Sequence, residues 1–130
     1  KTPSIYSQDP QIMVIPEFKT PKLFFLERTE RKFNFEEKKG FEREKIVYDY
    51  NSGFFYKYVL KNKDYPNQNF YLNSGGYAYR AEKNTLCQFI PAEELIEAND
   101  NGELHGPLKE ITKTLKIDDN PVLMIIKFKE

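Results

Sequence analysis

The chain has no tryptophan, one cysteine, one histidine and no excess of either charge, and each shortage removes a class of function. Cys87 by itself cannot close an internal disulfide. With His105 it supplies two of the four ligands that a Cys/His zinc centre needs. The 20 Lys and Arg residues balance 20 Asp and Glu residues, so the net charge is zero. A phosphate-neutralising surface needs a net or clustered basic excess, which argues against a nucleic-acid partner. No apolar run approaches the roughly 18 residues that span a bilayer, so no membrane-spanning segment is expected. No signal peptide is visible in this span, and residue 1 is Lys, which is the pattern of a mature form or an excised piece.

What is present in quantity is aromatic: Tyr 9 and Phe 11, together 15% of 130 residues, which favours strands over helices. The segment Lys45-Ile46-Val47-Tyr48-Asp49-Tyr50, the turn Asn51-Ser52-Gly53 and the segment from Phe54 to Leu60 read as a β-hairpin. Asn and Gly accept the positive φ that such a turn requires. Ile46, Tyr48 and Tyr50 share one face, and Phe54, Tyr56 and Tyr58 another, so both are expected to need cover.

Residues 1–10, with Pro3, Ser4, Ser7 and Pro10, read as a linker or irregular lead-in to a single β-rich domain over 11–130. Strands are expected at 11–15, stopped by Pro16, and at 23–28. A charged loop over 29–44 follows, from which Phe33, Phe35 and Phe41 should pack back. With the hairpin these make a four-stranded antiparallel meander. Residues 61–69 are dense in turn formers and read as loop, before strands at 70–72, 77–81 and 85–90. Pro91, Glu93 and Glu94 start a helix running to Ala98. A second helix near Pro107 places Leu108, Ile111 and Leu115 on one face. The closing strand, 122–128, is apolar enough to expect cover on both sides. The fold class is therefore mainly β, antiparallel meander sheets with two short helices near the C-terminus.

Chemistry-bearing motifs are weak. Cys87 sits in an apolar run and reads as a packing residue. His105 has no nucleophile or orienting acid at a recognisable spacing. Asn99-Asp100-Asn101-Gly102-Glu103 faintly resembles a calcium loop, but Glu97 and Leu108 stand where ligands should be, so it reads as a helix-ending turn. Asp118-Asp119-Asn120 offers carboxylates that capping the turn before Pro121 explains equally well. Asn73-Ser74-Gly75-Gly76 is a tight turn, because no Gly-Lys-Ser/Thr follows it. Tyr56, Tyr58, Tyr71, Tyr77 and Tyr79 could form a stacking platform, although Lys57 alone makes no basic groove. No catalytic, metal or cofactor site is expected from these residues.

The final third, Ile90-Pro91-Ala92-Glu93-Glu94-Leu95, the helix from Leu108 to Leu115 and above all Asp118-Asp119-Asn120-Pro121-Val122-Leu123, resembles the C-terminal part of a family of six-bladed β-propellers, TolB-like or NHL-like. These are largely uncharacterised exported proteins of Gram-negative gut commensals. The order of upstream strands fits the same pattern. The resemblance implies blade-like units at about 11–60 and 70–130, a periplasmic or cell-envelope location and no carried-over catalytic motif. A blade takes about 40–50 residues and a ring about four or more blades, so this chain holds about two. A closed monomeric ring is excluded. The chain is then either part of a longer propeller or one of several associating copies, three two-bladed copies making six blades.

The expected function is a noncatalytic propeller-type interaction or scaffold domain whose partner is protein. A glycan-binding or glycan-processing accessory is the alternative, and an enzyme working through carboxylates such as Glu93 or Asp118 is a third reading.

Overall fold

A computed structural model describes residues 11–32, 35–38, 40–72, 78–82 and 84–129, with backbone alone for 78–82. The described residues are mainly β, 49% strand against 15% helix, with antiparallel sheets and two helices. It falls into two compact units, Lys1–Tyr58 and Val59–Glu130.

The first unit is a four-stranded antiparallel meander in sequence order: β1 (Gln11–Lys19), β2 (Leu23–Arg31), β3 (Glu42–Asp49) and β4 (Phe54–Lys57). Thr20 makes the first reversal possible: its Oγ1 accepts from the backbone N–H groups of Lys22 (3.2 Å) and Leu23 (2.9 Å). Between β3 and β4, Gly53 adopts φ 74° and donates its N–H to the Asp49 carbonyl at 2.8 Å, as the Asn-Ser-Gly turn leads one to expect. Pro16 does not stop β1. It lies on an outer strand of the described sheet, where proline is tolerated, and the register slips there, between Pro16 and Phe18. The charged segment is likewise shorter than expected, because β2 continues to Arg31 and β3 begins at Glu42.

Burial covers the two faces unequally. Phe18, Phe25 and Val47 lie in one cross-strand row and are buried, while Ile46 and Tyr48 on the other face are half-buried and Tyr50 is exposed. Tyr58 joins the buried side by an edge-to-face contact with Phe25 at 5.0 Å. Phe35 and Phe41 are exposed rather than packed back, and Phe33 lies outside the described residues.

The second unit combines a two-stranded sheet, β5 (Leu60–Asn62) and β6 (Tyr65–Phe70), with a three-stranded sheet ordered β7 (Ala78–Glu82), β8 (Thr85–Ile90), β9 (Val122–Lys127). The stretch expected as loop, 61–69, is thus mostly hairpin: only Lys63 and Asp64 turn, Asp64 donating its N–H to Asn62 Oδ1 at 2.9 Å. The turn expected at Asn73–Gly76 lies outside the described residues.

Two helices, α1 (Ala92–Asp100) and α2 (Gly106–Thr112), connect β8 to β9. Pro91 caps α1 and Glu93 and Glu94 occupy its first turn, the favourable end of the dipole. The helix runs two residues past Ala98 before Gly102, at φ 73°, ends it, with Glu103 donating to the Ala98 carbonyl at 2.9 Å. In α2 the inward residues are Leu108 and Thr112, one turn apart, not Leu108 and Ile111, and Ile111 is exposed. The core joins Tyr65, Ile90, Leu95, Ala98, Leu104 and Leu108, against which Phe70, Leu115, Val122 and Met124 pack. Each large apolar side chain fully withdrawn here contributes about 1.5–3 kcal/mol. The closing strand β9 is not covered on both sides. It is outermost in its sheet, with Val122, Met124 and Ile126 half-buried and Leu123 and Ile125 exposed.

Candidate functional site

Strand pairing in the first unit aligns four side chains across the whole sheet: Lys19 opposite Phe24, Phe24 opposite Tyr48, and Tyr48 opposite Phe55. The row is in contact as well as in register. Tyr48 lies 4.9 Å from Phe55 with planes tilted by 49°, and meets Tyr50 edge-on at 5.2 Å. The Lys19 ammonium sits over the rings of Phe24 (5.9 Å) and Tyr50 (5.4 Å), within cation–π range. The face is therefore aromatic and cationic at this end.

Charge pairs organise the opposite end. On the aromatic face, Glu44 Oε1 meets Lys57 Nζ at 2.8 Å and Glu44 Oε2 meets Arg28 at 3.7 Å. The hydrogen bond from Lys57 holds the Glu44 carboxyl below its ordinary value, and the same bond raises Lys57. On the buried face, the Lys45 ammonium lies between the carboxylates of Glu17 and Glu27, bonding the first and reaching the second at 2.9 Å. All three side chains are largely buried, and Arg43 reaches Glu27 at 3.9 Å. These charges tie β1, β2 and β3 together.

Strand β4 is exposed throughout, with Phe54 65%, Phe55 61% and Tyr56 48% accessible, and it is one of the two outer strands of the described sheet. It carries the largest concentration of accessible aromatic surface among the described residues.

Among the described residues of the second unit, two hollows share Phe70 and Met124. One, of about 340 Å³, is lined by residues 60–63, Phe70 and residues 124–126. The other, of about 200 Å³, is lined by Gln68, Phe70, Tyr71, Gln88, Phe89, Ile90, Glu94 and Met124. Burial pushes the Glu94 carboxyl above its ordinary 4.5. Burial, followed by the nearby charges of Glu94, Glu103 and Glu97, raises the Tyr65 phenol. Gln88 donates from Nε2 to the Tyr71 carbonyl at 2.8 Å, fixing the wall between them.

The structure does not gather the sequence candidates into one place. Cys87 is half-buried on β8 rather than enclosed. His105 is exposed at the start of α2, where its backbone N–H donates to the Asp64 carbonyl at 2.8 Å. Asn99–Glu103 is the helix-ending turn already described. Asp118, Asp119 and Asn120 are exposed, and Asp119 Oδ2 accepts from the Lys116 N–H at 2.7 Å, a local turn bond. Of the tyrosines, Tyr56 and Tyr71 are exposed, Tyr58 is half-buried, and the side chains of Tyr77 and Tyr79 lie outside what is described. Glu93 is exposed, and its neighbour Glu94 is the carboxyl that lines a hollow. Among the described residues no three His, Cys, Asp or Glu side chains group as metal ligands would, and no helix is long and apolar enough to cross a membrane. Sequence reasoning passed over Lys19 and Phe24, whose meeting depends on cross-strand register.

Comparison with protein families, curated proteins and solved structures found no match to the chain.

Proposed function

We propose that the chain is a noncatalytic protein-interaction module, a scaffold domain of the cell envelope that works by lending strand edge and aromatic surface to neighbouring β structure. The observation that supports it is β4, an outermost strand with all four residues exposed and three of them aromatic. Unpaired strand edges and clustered apolar surface are costly to leave in water, and a second β surface removes both costs. The propeller resemblance supplies the geometry, since blades pack face to face, and copies of this chain completing a ring are the form we propose. Light scattering over a wide concentration range tests it. Self-association to a trimer is expected, reduced to monomer by the F54S/F55S/Y56S variant with its fold intact by circular dichroism. A wild type that stays monomeric at high concentration overturns the reading.

The Lys19–Phe24–Tyr48–Phe55 row favours a second reading, glycan binding, because ring faces and a nearby cation are what acidic sugars stack on and pair with. The 49° tilt between Tyr48 and Phe55 makes a notch rather than a flat platform, which weakens it. Titration with oligosaccharides, followed by amide shifts at these four residues, separates the two.

A further inference from the structure

We infer that the hollow between β5 and β9 is an acceptor slot for one extended, acidic peptide strand. Successive residues of a strand point to opposite faces, so a hollow that touches consecutive residues must lie beside the strand, in the plane of its hydrogen bonds. This hollow touches residues 60–63 on one side and 124–126 on the other. It therefore lies between two backbone edges. Both are open: β5 pairs with β6 alone and β9 with β8 alone among the described residues.

The floor is already built. Phe70 and Met124 lie beneath, and the Asn62 amide reaches the Met124 sulfur at 3.7 Å across the two sheets. At about 340 Å³ the hollow reaches the lower end of the roughly 300–1,000 Å³ that ligand pockets occupy. An added strand would join the two sheets in the order β7-β8-β9-peptide-β5-β6, with main-chain bonds to either side.

Charge selects the occupant. Lys61 and Lys63 line the hollow and exposed Lys127 follows on β9, whereas no Asp or Glu is among the lining residues. Among the described residues Lys61 bonds neutral acceptors, the Pro66 carbonyl at 3.2 Å and the Asn69 amide oxygen, which leave its charge unneutralised there. A peptide alternating acidic and aliphatic side chains would set carboxylates toward these ammonium groups and apolar residues over Phe70 and Met124.

The inference rests on the interaction reading in kind, but it uses β5 and β9 where that reading uses β4. The probe is a fluorescein-labelled nonapeptide alternating glutamate and valine, followed by anisotropy and by amide shifts in the intact chain. Binding is expected, with shifts confined to residues 60–63, Phe70 and residues 122–127. It should weaken roughly tenfold or more with the same peptide N-methylated at alternate residues, and by a similar factor in the K61E/K63E variant. The F54S/F55S/Y56S variant should bind the peptide as the wild type does, so failure of the slot and failure of β4 association are told apart. No binding, equal binding of the N-methylated peptide, shifts elsewhere, or displacement by dodecanoate, which would mark a lipid slot, each overturns the inference.

Discussion

The Asp64 carboxylate accepts the backbone N–H of Leu108 through Oδ2 at 3.3 Å, joining the β5–β6 turn to a helix 44 residues further along the chain. The Asp64 carbonyl adds a second tie, accepting from the His105 N–H at 2.8 Å. The turn is thus a helix cap supplied from a distance, satisfying donors that α2 leaves open at its start.

Replacing Asp64 by Ala should cost about 1 kcal/mol, the usual value of a lost cap, with Asn recovering most of it. Gly106→Ala should cost at least as much. Gly106 stands at φ 52°, and an added Cβ would lie 2.8 Å from Asp64 Oδ1. Urea denaturation of the three variants measures the order, and an alanine at 106 that leaves the midpoint unchanged would contradict this packing.

Glu94 gives a pH dependence with a definite sign. Its folded-state value is raised, so the folded protein holds a proton that the unfolded chain gives up. The associated stability is full below the unfolded value and falls as pH rises through the folded one. Glu94→Gln should therefore match the wild type at about pH 4 and exceed it at about pH 7 in paired melts. The same substitution should bring the Tyr65 phenol back toward its ordinary range, read by ultraviolet titration, because Glu94 is one of the charges that raise it.

Lys45 holds two buried carboxylates together, so its loss leaves them facing each other. Lys45→Met should destabilise the first unit by about 3 kcal/mol, the scale for removing one partner from a buried ion pair. In the Glu17→Gln/Glu27→Gln/Lys45→Met triple variant most of that loss should return. A triple variant as unstable as the single one would mean that Lys45 acts by packing its methylenes rather than by charge.

The exposed outer face of β9 predicts a contrast with the helix core. Leu95→Ala, at a side chain with 0% exposure, should cost about 3 kcal/mol. Ile125→Ala, at 57% exposure, should stay within about 0.5 kcal/mol. Equal losses would show that β9 is covered.

Where chemistry is local, the residues disclosed the fold. Asn51-Ser52-Gly53 turns as its φ preferences require, Pro91 begins a helix, and Thr85 to Ile90 forms the expected strand. Where partners decide, they did not. Pro16 reads as a strand stop until β1 proves to be outermost, and residues 61–69 read as loop from their turn-forming composition, which hairpin pairing outweighs in the fold. The run from Val122 to Ile126 looks buried on both faces, yet hydrophobicity alone cannot say whether a strand is central or peripheral. The aromatic row shows the limit most plainly: Lys19, Phe24, Tyr48 and Phe55 are scattered in sequence, and only the register of three strand pairs brings them together.

The three-stranded sheet also carries a consequence for how the protein is made. β8 and β9 are joined not by a tight reversal but through both helices, so the last strand docks only after the intervening chain has closed a long loop. Long-range closure of this kind slows folding, and until it happens the hydrophobic side chains of β9 are free to find another molecule. Refolding yield of the protein should fall as its concentration rises for that reason, with the final strand as the exposed party.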